Sequence, residues 1–400
     1  MTGRSGRRAA IVAPVRTPIG RFGGALRSVP AEDLAAQMLA AVLERSGLDG
    51  APVDDVVLAQ SYANSEAPCI GRWAALQAGL PIEIPGMQVD RRCGGGLQAV
   101  ITAAMMIESD AADVVLAGGV ESMSNAEHYT TDLRWGRKVG PLVMHDRLQR
   151  GRERSQPEWR FGVISGMIET AENVATASGI TRERSDALAA ASHQRAAAAW
   201  ARGDFADEVV PVTVPGGGTV ERDEGIRADS TAATLGTLPA IMAGGTVTAG
   251  NSAQQNDAAA ACLVVAEDHL DRLGLEPFGF LAGWASAGCD PAHMGMGPVP
   301  AVARLFRRTG IDFDALDLIE VNEAFASQVL AVADQWGLAG DERLNVNGSG
   351  ISLGHPIGAT GARILCSMLH ELRRRRGRFA LESMCVGGGQ GLAALFEAPG

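Results

Sequence analysis

Two stretches far apart in this chain follow one plan, and that plan narrows the fold more than any other feature. Around "RRCGGGLQAV" (91–100) a cysteine, Cys93, stands where a Gly-rich turn becomes a helix. The helical run "LQAVITAAMMIESD" follows, and then the strand-like "ADVVLAGGVESM" (112–123), ending in Gly118 and Gly119. Near the C-terminus, "NGSGISLGHPIGATGARILCSMLHELRRRRG" (347–377) sets His355 in a Gly-rich turn before another helix. "RFALESMCVGGGQGLAALFEA" (378–398) then reads as a strand, a Gly-rich turn bearing Cys385, and a last strand. Cys93 precedes Gly118 by 25 residues, and His355 precedes Gly387 by 32. A strand, a helix-starting turn, a helix and a further strand form a βαβ-type unit. Its recurrence predicts two related α/β halves.

The remaining pattern agrees. Short apolar runs, "AAIVAPV" (9–15) and "DDVVLAQSYA" (54–63), read as strands and alternate with the helical stretches 31–47 and 70–79. Between the halves, over 125–250, the texture changes. Residues 134–160 carry eight basic residues (Arg134, Arg137, Lys138, Arg147, Arg150, Arg152, Arg154, Arg160) against three acidic ones. In a chain of net charge −11 this is a positive island. It reads either as a solvated loop or as a landing place for a phosphorylated ligand or another subunit.

Composition removes several function classes. The acidic balance argues against nucleic acid and anionic membranes as partners, and no stretch has the roughly 18 uninterrupted apolar residues of a membrane helix. The six cysteines show no CxxC pairing and no clustering with histidine, so neither a metal site nor a disulfide framework is expected. A reducing cytoplasm fits them best. The only lysine is Lys138, in "GRKVG", which suits neither a Schiff base nor a Walker-type loop. No GxGxxG opens a helix after a first strand, which argues against a nucleotide-binding oxidoreductase.

Four segments carry chemistry. Cys93 is the candidate nucleophile, because free N–H groups and the positive dipole end at a helix start favour thiolate. Taken alone, it could equally be an inert filler of a tight turn. His355, between Gly354 and Pro356, is a candidate base. Cys385 is a second thiol, followed by glycines whose N–H groups suit an oxyanion. Asn322 and Glu323 in "EVNEAFAS" follow the apolar run "LDLIE", where a strand end points polar groups into a cleft. Together they match acyl transfer through a thioester: a thiol, a base, oxyanion donors and a second proton-transfer group.

The same segments, with "RTPIGRFGGAL", "GGVESMS", "TAENVA", "GTVTAGNSAQQNDAAAA" and "MGMGPVPA", resemble the thiolase family (acetyl-CoA C-acyltransferases) along essentially the whole chain. The resemblance implies the thiolase fold: two related five-layer α-β-α-β-α halves with an inserted loop domain. It sets the N-terminal half at 1–124 plus about 251–275, the loop domain at 125–250 and the C-terminal half at 276–400. It implies reversible thiolysis of 3-ketoacyl-CoA, or Claisen condensation with acetyl-CoA, through a Cys93 acyl-enzyme. His355 then takes the Cys93 proton, and Cys385 is the second acid/base. His355 and an Asn322-held water meet one oxyanion, and the N–H groups of Cys93 and Gly387 meet the other. Coenzyme A contacts fall on Met167, Arg227, Thr234, Ala253 and Met294. Coenzyme A and acetyl-CoA enter as substrates, with no permanently bound cofactor and no metal. The implied assembly is a homodimer or homotetramer, acting in fatty acid or lipid metabolism such as beta-oxidation.

Some positions depart from the family pattern. Ala253 stands where a coenzyme-A-contacting serine is usual. Ser349 and Gly350 replace the common Gly-Ala, and "CGGG" replaces a more frequent Ser-containing run. Ser165, Gly166, Met167 and Ile168 occupy the place of a Tyr-His-Met-Gly stretch, so that pocket histidine is absent. These departures predict an acyl chain longer or bulkier than acetoacetyl-CoA. The alternatives are a biosynthetic acetoacetyl-CoA thiolase, a decarboxylating ketoacyl synthase, which uses two histidines, and an inactive thiolase-like lipid-binding protein.

Overall fold

The computed structural model describes residues 6–48, 50 and 52–400. Its strands are β1 (Ala9–Arg16), β2 (Asp55–Ala59), β3 (Gly86–Val89), β4 (Val114–Ser122), β5 (Asn256–Ala266), β6 (Pro277–Gly288), β7 (Leu318–Val321), β8 (Phe379–Val386) and β9 (Gln390–Glu397). They hydrogen-bond in the order β7-β8-β9-β6-β1-β5-β4-β2-β3, with the short strand Gly20–Arg21 pairing onto β5. Read outward from the antiparallel β1–β6 pair, the two sides repeat. β1, β5 and β4 run antiparallel in succession, then β2 joins β4 in parallel and β3 joins β2 in parallel. On the other side β6, β9 and β8 run antiparallel, and β7 joins β8 in parallel. A parallel bridge from Ile319 to Leu344 takes the place of β3. The duplication expected from sequence is thus a duplication of strand order and strand direction.

The helices complete five layers. Helices α1 (Ala31–Ser46) and α2 (Ile70–Gln77) cover the outer face of the β1 side, sharing a core of Leu34, Leu39, Ile70, Leu116 and Leu263. Helices α4 (Pro298–Thr309) and α5 (Ala326–Trp336) cover the outer face of the β6 side through Leu305, Val329, Leu381 and Leu395. Between the two sides lie α3 (Gly95–Glu108) and α6 (Thr360–Arg375), packed on Ile11, Val264, Met384 and Phe396. Strand residues therefore alternate between two cores. In β5, Leu263 and Val265 face the outer one, while Cys262 and Val264 face the central one. A strand buried on both faces reads as a continuous apolar run, and these do.

The glycines flanking Cys93 and His355 answer a steric demand. A Cβ on Gly361 would collide with the backbone of Leu97, and one on Gly96 would stand 2.7 Å from the Ala362 nitrogen. Helices α3 and α6 therefore touch backbone to backbone at their N-terminal ends. The turns ahead of them, bearing Cys93 and His355, are brought together by that contact. From β4 to β5 the chain runs through a long excursion. It includes the helices Arg147–Glu153, Met167–Ser178 and Arg182–Arg202, with two short two-stranded ribbons. This excursion falls where the inserted loop domain is expected.

Candidate active site

Cys93 sits in the one-turn 3-10 segment Arg92–Gly94, two residues ahead of α3. Arg92 takes the left-handed region (φ 46°), rarely used by a side chain of its size, and its N–H is held by Asp90 Oδ1 at 2.7 Å. Burial pushes the Cys93 thiol up. The Gly387 N–H, the Arg92 guanidinium and its own N–H pull the other way without overcoming it. The expectation of a thiolate-favouring helix start is corrected here: desolvation wins, and the resting group is a thiol in need of a base.

His355 presents an imidazole of defined tautomer. The Thr360 hydroxyl donates to Pro356 O at 2.9 Å, so at 2.7 Å from His355 Nδ1 its oxygen accepts the ring N–H. Nε2 is left bare. The Asn322 amide nitrogen lies 3.5 Å from the same Nδ1, too long to compete with Thr360. The His355 backbone N–H is anchored on Asn256 Oδ1 at 2.8 Å. Burial, then Arg363 and Arg152, push the imidazole down to about 3, so at neutral pH it is uncharged.

Cys385 is the second-last residue of β8, fully buried among Met294, Ala324, Phe325 and Ala171. Burial, then the nearby Cys93 and Cys289, raise it well above an ordinary thiol. After it come Gly388 and Gly389 with φ of 87° and 82°, left-handed values that suit glycine. That turn aims the Gly387 N–H at Cys93. A cleft of about 880 Å³ joins these groups, lined by Cys93, His355, Cys385 and Gly387 and by Met167, Arg227, Ala253 and Met294.

Three sequence-predicted residues, Asn322, Glu323 and Thr234, are not on its wall. Asn322, buried at the end of β7, lies behind His355. Its N–H donates to Ser383 O at 3.0 Å, and its Oδ1 has no protein partner. Thr234 is the third residue of the five-residue helix Ala232–Gly236, its side chain bonded reciprocally with the N-cap Thr231, outside the residues that line the cleft. Its hydroxyl is consumed by the cap. Glu323 accepts from Ser192 Oγ at 2.6 Å, Asn345 Nδ2 at 3.1 Å and the Ile351 N–H at 3.2 Å, tying the helix Arg182–Arg202 to the turn ahead of His355.

The positive island divides. Arg147, Arg150, Arg152 and Arg154 line the cleft, whereas Arg134, Arg137, Lys138 and Arg160 do not, Arg137 pairing with Asp132 at 2.5 Å.

Sequence reasoning missed Thr360, Asn256 and Glu121. Thr360 lies in the quoted "GHPIGATGAR", but only the fold shows that its hydroxyl meets the ring. Glu121, in "GGVESMS", accepts the N–H groups of Ser61, Tyr62 and Gly358, and so clasps the His355 loop to the β2 end. Burial lifts it to about 7.

Comparison with known proteins agrees with the fold. The thiolase N-terminal domain profile matches residues 9–268 and the thiolase C-terminal domain profile residues 275–398. An acetyl-CoA acetyltransferase of Chromobacterium violaceum is 42% identical over 396 residues, covering 98% of this chain and 99% of that protein. The beta-ketothiolase BktB of Cupriavidus necator is 42% identical over 397 residues, covering 98% and 99%. The crystal structure of the Bacillus anthracis acetyl-CoA acetyltransferase superposes with a TM-score of 0.95 at 40% identity, covering 99% of this chain and 100% of that one. Human mitochondrial 3-ketoacyl-CoA thiolase in complex with CoA superposes at 0.92 and 38%, covering 98% of each chain. Fold and relatives define an acyltransferase enzyme. The chain belongs to the thiolase family.

Proposed function

We propose that the protein cleaves 3-ketoacyl-CoA with coenzyme A, and in reverse condenses an acyl group with acetyl-CoA, through an acyl-enzyme on Cys93. One observation carries this reading: the Cys93 thiol, the imidazole of His355, the Gly387 N–H and the Cys385 thiol meet in one cleft. Cys93 gives its proton to His355 Nε2 while its sulfur attacks the ketone carbon, C3. The oxygen that becomes negative is met by the N–H groups of Cys93 and Gly387. The C2–C3 bond then breaks toward C2, the thioester enolate is met by the Nε2–H of the His355 imidazolium, and Cys385 delivers its proton to C2. Acetyl-CoA leaves. The Cys385 thiolate takes the proton of an incoming coenzyme A thiol, whose sulfur attacks the acyl group on Cys93. The Cys93–acyl bond breaks, and Cys93 recovers its proton from the His355 imidazolium.

The loop domain (125–250) contributes the coenzyme A and acyl contacts in this reading. Met167, Arg227, Ala253 and Met294 line the wall, and Arg147, Arg150 and Arg154 meet phosphates. The acyl group is longer or bulkier than acetoacetyl. Supporting this, Ser165, Gly166, Met167 and Ile168 line the cleft where the related short-chain pattern carries a histidine. The names of the relatives favour a second reading, an acetoacetyl-CoA thiolase. Trp135 (95% exposed) and Val139 (86%) support a homo-oligomer, and six free thiols support a cytoplasmic setting.

The test is direct. Incubation with an acyl-CoA should add one acyl mass to the peptide bearing Cys93, and Cys93→Ser should abolish the adduct and lower turnover by several orders of magnitude. Near-normal turnover in that variant would make Cys93 structural. Thiolysis rates across 3-ketoacyl-CoAs of rising length and branching then decide between the two readings.

A further inference from the structure

Arg152 is a guanidinium with no carboxylate of its own. Arg147 pairs with Glu127 and Arg137 with Asp132, but Arg152 has no ion pair among the described residues. It is half-buried in the last turn of the helix Arg147–Glu153 and lines the cleft with Cys93 and His355. With the Gln255 carboxamide turned so that its oxygen faces donors, that oxygen accepts from Arg152 Nη1 and Nη2 at 3.1 Å each. This spends one face of the guanidinium on a neutral group and leaves the amide NH₂ of Gln255 as a further donor.

The position of Arg152 is at the reacting end of the cleft. Gln255 adjoins Asn256, whose Oδ1 anchors the His355 N–H. The preceding residue, Gly151, lies against the Tyr62 ring, where a Cβ would stand 3.0 Å from it. The Arg152 charge reaches both rings, favouring uncharged His355 and opposing the burial that raises Tyr62. The two carboxylates on the cleft wall are otherwise engaged. Asp90 holds the Arg92 N–H at 2.7 Å, and Glu153 accepts from Gln149 at 2.8 Å. A partly desolvated cation is costly unless something of opposite charge joins it. The phosphates of coenzyme A stand a full pantetheine arm away from the thioester carbon. A cation that holds Gln255, next to the Asn256 that anchors His355, and whose charge reaches that ring therefore faces the acyl group.

We propose that the acyl chain ends in a carboxylate, so that the substrate is a 3-ketoacyl-CoA derived from a dicarboxylic acid, with Arg152 and the Gln255 amide as its receptor. The proposal rests on the thiolase reading above and names its substrate class. Arg can grip a carboxylate with two parallel N–H bonds, which a methyl terminus cannot use.

The test compares thiolysis of two thioesters of equal carbon number, 3-oxohexanedioic acid and 3-oxohexanoic acid, each as its mono-CoA ester at C1. The wild type should show a kcat/KM at least about tenfold higher for the diacid. Arg152→Gln should lower the diacid-to-monoacid ratio by about ten- to hundredfold, the range of one charged hydrogen-bonded contact. Arg152→Lys should retain part of it. A wild type that prefers the monoacid overturns the proposal, as does a ratio that Arg152→Gln leaves unmoved. Because coenzyme A is common to both thioesters, an Arg152 serving only its phosphates would lower both rates and keep the ratio. Acyl loading of Cys93 by the monoacid alone rejects the diacid while sparing the thiolase reading, whereas loading by neither rejects both.

Discussion

In the proposed mechanism, Thr360 is the residue on which the base chemistry turns. Its hydroxyl accepts the Nδ1 proton of His355, and the other group that reaches that nitrogen among the described residues, the Asn322 amide, is itself a donor there. Thr360→Val keeps the shape but leaves a buried N–H unsatisfied, a cost of about 1–3 kcal/mol. The ring can escape that cost by moving its proton to Nε2, which removes the base. We expect kcat to fall about ten- to hundredfold with KM for the thioester little changed, and Thr360→Ser to restore most of it. An equal loss in the serine variant, or a loss confined to KM, would deny Thr360 its role in fixing the tautomer. Cys93, His355 and Cys385 were legible because thiols and imidazoles in Gly-rich turns are unusual company. A threonine five residues after a histidine is not, and its meaning appears only when the turn ahead of α6 curls back.

At the scale of elements, the run of small residues after Cys93 gains a geometric meaning. The sequence reading treated the glycines as turn formers. The fold shows that Gly96 and Gly361 exist so that α3 and α6 can touch. Helix positions were readable from apolar spacing: α1, α2 and α3 fall within a few residues of their expected bounds. Strand pairing was not, since a doubly buried strand has the same apolar run whichever neighbour it takes. The mirrored strand order could be inferred only as a vague duplication. Gly361→Ala adds a methyl that ordinarily favours a helix, yet here it meets the backbone of Leu97. It should lower stability by about 1–3 kcal/mol and reduce kcat beyond what unfolding removes, because the turns bearing Cys93 and His355 are forced apart. Thermal unfolding together with the burst of Cys93 acylation measures both. A stabilised variant with a full burst would show that the helix contact does not set the site.

Over the whole molecule, an acidic chain has to draw in a ligand that carries several phosphates, and it must do so against its own field. The sequence located a positive island but not its division, because charge along a loop does not reveal which side faces inward. Arg150 and Arg154 line the cleft, while Arg134 and Lys138 accompany the exposed Trp135 and Val139. The two parts should therefore separate by experiment. Arg150→Gln with Arg154→Gln should raise KM for coenzyme A about tenfold at low salt, an effect that shrinks as ionic strength rises and the Debye length falls below about 10 Å. Sedimentation should not change. Trp135→Ser with Val139→Ser should do the reverse, lowering the sedimentation coefficient at micromolar protein while leaving KM for coenzyme A in place, because an exposed apolar surface of this kind is what the proposed homo-oligomer would bury. If the arginine pair alters assembly and spares KM, the inner half of the island is a subunit contact, and the acidic chain must recruit its ligand through Arg227 and Arg147 alone.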